Sequence, residues 1–120
     1  MYESGEMYLE TILVLKKRNG QVRSIDVARE LNFSKPSVSR AIGILKDEGY
    51  ILVDNNNYIE LTEKGKKKAK DIYEKHKVLT MFLTDIIKVS SEIAEEDACR
   101  IEHIISDETF RGIKKFLEDY

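Results

Sequence analysis

Apolar residues recur along this chain at spacings that switch between helical and strand-like, and the switches divide it into elements. Met7, Leu9, Ile12, Leu13 and Leu15 form a dense apolar set between Ser4 and Arg18, closed by Asn19-Gly20, which predicts a first helix. Ser24 is placed to cap a short second helix, Ile25 to Leu31, with Ile25, Ala28 and Leu31 inward and Asp26, Arg29 and Glu30 outward. Ser34-Lys35-Pro36 opens a third helix, because a first turn tolerates proline: the amide it lacks would have had no partner there. Val38, Ala41, Ile42 and Leu45 follow at i, i+3, i+4 and i+7 and predict its buried face, leaving Pro36, Arg40, Gly43 and Asp47 opposite.

Gly49 ends that helix. Tyr50-Ile51-Leu52-Val53 and Tyr58-Ile59-Glu60-Leu61 then flank the turn-prone Asp54-Asn55-Asn56-Asn57, which predicts a small β-hairpin. Two short helices joined by a brief turn and followed by a hairpin make the pattern of a winged helix-turn-helix, whose third helix would enter the DNA major groove. Thr62 caps a long helix to about Lys88, with Ala69, Ile72, Tyr73, His76, Leu79, Leu83 and Ile86 on one side. Two more helices are expected, Ser91 to Ile105 and Asp107 to Leu117. The fold class is therefore mainly α: a winged helix-turn-helix domain over residues 1–62 and an all-α domain over 63–120. The second carries more apolar face than so small a neighbour can cover, which predicts a homodimer.

Composition narrows the classes. At 42% apolar with one proline in 120 residues the chain is too hydrophobic for a disordered tail, and it contains no run of about 20 apolar residues for a membrane span. A solitary Cys99 builds no internal disulfide, and Met1-Tyr2-Glu3-Ser4 lacks the features of a secretory signal, so a cytoplasmic location is expected. Net charge is −2 but unevenly spread: Lys16 to Lys46 carries +6, and Glu92 to Glu108 carries −6. The first stretch suits a polyanion, and the second repels itself unless solvated or neutralised by a cation.

Cys99, Glu102 and His103 lie at i, i+3 and i+4 and project from one helix face beside the apolar stripe of Ala94, Ala98, Ile101 and Ile105. Thiolate, carboxylate and imidazole together can hold a transition metal. Met7 and Glu10 offer a thioether and a carboxylate at i, i+3 on the first helix, and His76 lies on the apolar side of the long one. Singly, Met7, Cys99 and His76 are ordinary core residues and Glu10 and Glu102 ordinary solvated ones; the signal is their combination. A Cys–His pair on one helix has neither an orienting residue nor an oxyanion hole, so no enzyme and no catalytic residue is expected.

Six segments in order resemble the metal-dependent repressors related to diphtheria toxin repressor and the manganese transport regulator: Gly5 to Ile12, Ser34 to Ser39, Leu61 to Gly65, Lys75 to Lys77, Phe82 to Ile87 and Asp97 to Glu108. The resemblance runs from about residue 4 to 118. It implies that a metal is held, as in the iron-responsive branch, by Met7, Cys99, Glu102 and His103. An ancillary site of that branch begins at His76, with its next positions at Thr80 and Glu95, where those repressors carry a glutamate and a histidine. The manganese branch implies a two-metal cluster on Met7, Glu10, His76, Cys99, Glu102 and His103, with carboxylates where this chain has Met7 and Cys99. Iron-branch members continue into an SH3-like domain; ending at Tyr120, this chain is expected to have the two-domain form of the manganese regulators.

Soft donors widen the Irving–Williams gap against Mn2+, so Fe2+ is the expected metal, Mn2+ the second choice, and Co2+, Ni2+ or Zn2+ surrogates. The partners expected are a palindromic double-stranded DNA operator and a second copy of the chain, without a membrane or small-molecule substrate. Ser34, Lys35, Pro36, Ser37, Ser39 and Arg40 are the DNA-reading candidates, with apolar contact to thymine methyls implied for Ser34 and Pro36. Arg40 stands where those repressors have a glutamine, and its guanidinium fits guanine O6 and N7 or a phosphate. Asn55, Asn56 and Asn57 give the wing no positive charge. The function this implies is an iron-responsive repressor of metal-uptake or homeostasis genes; the alternatives are a manganese-responsive one or a winged-helix regulator with a small-molecule effector.

Overall fold

A computed structural model of the chain describes residues 3–120, so the first two residues of the expected N-terminal domain lie outside it. Two compact units, Met1–Lys70 and Asp71–Tyr120, divide inside one long helix. The element order expected from the sequence is the order found: α1 (Glu3–Asn19), α2 (Ser24–Leu31), α3 (Lys35–Asp47), β1 (Ile51–Val53), β2 (Ile59–Leu61), α4 (Glu63–Phe82), α5 (Ser91–Ile101) and α6 (Asp107–Asp119).

In the first unit α1 stops at Gly20, whose φ of +81° is a left-handed conformation that glycine adopts without strain. Leu9, Ile12 and Leu15 of α1 are buried, as are Val38, Ile42 and Leu45 of α3 and Ile51 and Ile59 of the hairpin. Val22, between α1 and α2, is fully buried too, and its carbonyl accepts the Ile59 N–H at 2.7 Å, tying the α1–α2 connection to the wing. The cap of α2 is Arg23 and not Ser24, because the Asp26 carboxylate accepts the Arg23 N–H at 2.9 Å and the helix begins one residue earlier than expected. Ile25, expected inward, is 40% exposed, and Val27 and Ala28 are the buried pair.

Ser34 caps α3, its hydroxyl accepting the Ser37 N–H, and Pro36 occupies the first turn. Ser34→Ala removes this acceptor and is expected to lower unfolding stability by about 1 kcal/mol, read from urea denaturation. β1 and β2 pair antiparallel with Ile51 opposite Leu61, and the Asp54 carboxylate holds the turn by accepting the Asn56 and Tyr58 N–H groups. Thr62 joins the hairpin to α4: its N–H donates to Tyr50 O at 3.1 Å, and its hydroxyl accepts the Gly65 N–H at 3.1 Å.

In the second unit the α4 ladder does not continue to Lys88. It widens at Leu83–Ile87 into a π-helical turn that ends on Lys88 at φ +69°. Thr80 and Thr84 donate back to His76 O at 2.7 Å and Thr80 O at 3.0 Å, bonds of the kind that bend a helix, and the change follows directly. Ser90 caps α5, which ends at Ile101 rather than Ile105, since the N–H groups of Ile104 and Ile105 both donate to Ile101 O in a tightened turn. Ser106 then caps α6. Ile72 and Leu79 of α4, Ala94 and Ala98 of α5 and Phe110 of α6 are buried. The Lys75 ammonium lies over the Phe110 ring and 3.4 Å from Asp107, and Glu74 pairs with Lys114, raising that ammonium's pKa through its hydrogen bond and charge. Among the described residues no helix is long and apolar enough to cross a membrane.

Candidate metal centre and DNA-facing surface

The DNA-reading candidates occupy the N-terminal half of α3 and the residue before it. Ser34, Lys35, Pro36, Ser37, Ser39 and Arg40 are all exposed, with Val38 buried between them as the anchor. The Ser34 hydroxyl, which caps the helix, also donates to Ser37 Oγ at 2.8 Å. Pro36 has no N–H, the Ser37 N–H is taken by Ser34 Oγ and the Val38 N–H by Ser34 O, so the start of α3 offers the positive end of the helix dipole together with the exposed Lys35 and Arg40 side chains. Two further cations are held in fixed positions that periodicity could not reveal. Arg23 lies 4.3 Å from the Tyr58 ring centroid, and Lys64 lies 4.2 Å from that of Tyr50 while donating to Glu48 O.

The other candidates separate by unit. Met7 and Glu10 lie on α1 in the first unit, both half-buried. His76, Cys99, Glu102 and His103 belong to the second. Glu102 is not the ordinary solvated carboxylate it would be singly: its side chain has no exposed surface. Glu102 Oε2 lies 2.8 Å from His76 Nδ1, and Oε1 lies 3.3 Å from His103 Nε2, so one carboxylate stands between two imidazoles from α4 and the end of α5. His76 Nε2 is 3.5 Å from Glu95 Oε1, the exposed carboxylate two turns earlier on α5. Because α5 ends at Ile101, Glu102 is its C-cap and His103 sits in the turn beyond; the local backbone remains near-helical and keeps both beside Cys99. Cys99 is half-buried and lines an open groove with Glu92, Glu95, Glu96 and Arg100.

An ionised carboxylate withdrawn from water is costly unless compensated, and Glu102 Oε1 receives no hydrogen bond among the described residues. Ligands about 2.0–2.2 Å from a common ion lie roughly 3.0–3.5 Å from one another; the 3.3 Å between Glu102 Oε1 and His103 Nε2 is such a separation, whereas the 2.8 Å between Oε2 and His76 Nδ1 is that of a hydrogen bond. Imidazole and carboxylate donors of this kind suit a first-row divalent cation, so the residues fit such an ion.

The description "Iron dependent repressor, N-terminal DNA binding domain" matches residues 1–58, and "Iron dependent repressor, metal binding and dimerisation domain" matches residues 62–120. An uncharacterized HTH-type transcriptional regulator of Methanocaldococcus jannaschii is 36% identical over all of this chain and 97% of its own length. The diphtheria toxin repressor of Corynebacterium diphtheriae is 31% identical over 99% of this chain but 53% of its own. The structure of the manganese regulator SloR superimposes with a TM-score of 0.85 at 30% identity, over 95% of this chain and 53% of that one. The chain thus spans about half the length of these last two relatives. With both halves matched in order, this chain belongs to the iron-dependent repressor family.

Proposed function

We propose that the chain is a metal-dependent transcriptional repressor of the cytoplasm, in which a divalent ion activates a homodimer for a palindromic operator controlling metal-uptake or homeostasis genes. The observation that carries the reading is the buried Glu102 carboxylate between the imidazoles of His76 and His103, in a chain whose other unit exposes a helix-turn-helix face. His76, Cys99, Glu102 and His103 are the ligands in the second unit, and Met7 and Glu10 are those by which the same centre engages α1. Bound metal supplies positive charge to the acidic stretch from Glu92 to Glu108. Its coordination by residues of α1 restricts how the reading helix is presented.

The second copy is supported by the apolar side chains the second unit leaves in water: Met81, Ile87, Ile93, Ile104, Phe116 and Tyr120 are each about half exposed or more. A twofold dimer places two α3 helices about one DNA turn, roughly 34 Å, apart and selects a palindrome. Fe2+ is the first choice because Cys99 and Met7 are soft donors. Mn2+ is the second reading, favoured by the carboxylates of Glu102 and Glu95 around His76 and by the likeness to a protein described as a manganese regulator.

Anaerobic DNA-binding titrations with Fe2+, Mn2+ or Zn2+, each reversed by chelator, test the reading. Metal is expected to tighten binding to a selected duplex about 5–150-fold, the usual range of an allosteric coupling. Affinity that ignores all three ions, or a response that survives the chelator, overturns it. Arg40→Ala is expected to cost roughly 1–3 kcal/mol on the preferred sequence and little on random DNA. An equal loss on both would make Arg40 a phosphate contact.

A further inference from the structure

Two helical glycines of the first unit stand in opposite surroundings, and the contrast points to the duplex. A Cβ on Gly65 would lie 2.0 Å from Tyr50 O, so the fold itself demands that glycine. A Cβ on Gly43, inside α3, would meet nothing within 4 Å, and Gly43 has an ordinary helical φ. Nothing in the folded chain asks for a residue that, proline aside, is the poorest helix former. Open space alone does not settle the matter, because Gly112 of α6 is equally unobstructed. Position does. At 100° per residue Gly43, itself half-buried, falls on the flank of the face opposite Val38, Ile42 and Leu45, within about 60° of Pro36 and Arg40 around the helix.

We infer that Gly43 is a DNA-contact position at which the backbone of α3 itself touches the duplex. This rests on the repressor reading and goes beyond it by placing a contact past Arg40. An α-helix with its side chains is about 10–12 Å across and the major groove about 12 Å wide, so depth of entry is set by side-chain bulk on the leading face. Between Arg40 and Asp47 that bulk is missing only at Gly43, three residues or about 4.5 Å beyond Arg40 along the axis. Asp47, whose carboxylate repels phosphates, marks the end of the strip that can lie against DNA.

The test uses the full chain loaded with Fe2+, a duplex selected by the wild-type protein from random-sequence DNA, and a random duplex of equal length. Gly43→Ala is expected to raise the melting temperature by roughly 3–5 °C, since alanine is the better helix former. It is expected to weaken binding to the selected duplex by at least about tenfold, with the metal titration unchanged, and Gly43→Leu should weaken it further. A variant that melts higher yet binds within twofold of wild type overturns the inference, as does one that melts lower, because the fold would then need the glycine. Failure of the wild-type protein to select any duplex when metal is present is a different result: it removes the repressor reading itself, and it is seen before any variant is made.

Discussion

Glu102→Gln is expected to give a folded protein whose DNA affinity no longer responds to metal. Glutamine keeps the shape of the side chain, so packing at the end of α5 survives, and its carbonyl oxygen can still accept a hydrogen bond from an imidazole N–H. What it loses is the charge, at a position where the side chain has no exposed surface and water cannot replace it. Substitutions of residues that merely orient metal ligands lower affinity about 10–100-fold, so loss of a buried anionic ligand should exceed about 100-fold in calorimetric titration. The roughly 5–150-fold stimulation of DNA binding expected for the wild type should then fall to about one. Cys99→Ala and His103→Ala belong to the same series and are expected to lose the response while remaining dimeric. Glu95→Gln should do less, because that carboxylate is 70% exposed and reaches His76 only at 3.5 Å. Stimulation retained by Glu102→Gln would remove Glu102 from the ligand set.

The contrast between Glu102 and Cys99 shows where the sequence stops being informative. The spacing of Cys99, Glu102 and His103 is a local property, readable from 3.6 residues per turn, and it puts the three on one side of α5. That Glu102 is buried and reaches His76 is a property of how α4 and α5 pack, 26 residues apart, and no periodicity encodes it. The fold divides along the same line. Helix starts marked by a hydroxyl accepting an amide hydrogen, at Ser34 and at Thr62, were legible because the interaction spans three residues. Arg23 displaced Ser24 as the α2 cap because the deciding carboxylate, Asp26, sits inside the helix and reaches backward. Neither the π-helical turn after Phe82 nor the early end of α5 carries a proline or glycine, the punctuation from which breaks are read. Val22, flanked by the polar Gln21 and Arg23, belongs to no periodic apolar stripe, and its burial accompanies a long-range backbone bond to Ile59 that local spacing does not encode.

Gly65→Ala is the substitution expected to harm the N-terminal unit most, and for a reason the sequence hides. The added methyl would lie 2.0 Å from Tyr50 O, 3.0 Å from the carbonyl carbon of Tyr50 and 3.3 Å from Leu61 Cδ2. The first two are backbone atoms and cannot rotate away. Tyr50 O is also the acceptor for the Thr62 N–H and for the Thr62 hydroxyl, which in turn holds the Gly65 N–H, so relief at one atom breaks bonds at two others. Either α4 lifts from the hairpin or the Ile51–Leu61 pairing is lost, and Ile51 and Ile59, both fully buried, are opened to water. Overpacking of a tight core costs typically 1–3 kcal/mol, and a clash with fixed backbone belongs at the upper end, about 3 kcal/mol. That corresponds to a melting temperature lower by roughly 10 °C for a chain of this size. Because alanine is the better helix former, propensity alone predicts a change of the opposite sign, so the direction of the shift decides between the two causes. A melting temperature equal to or above the wild-type value would mean that the hairpin gives way without cost, and the close approach of α4 to Tyr50 would lose its structural meaning.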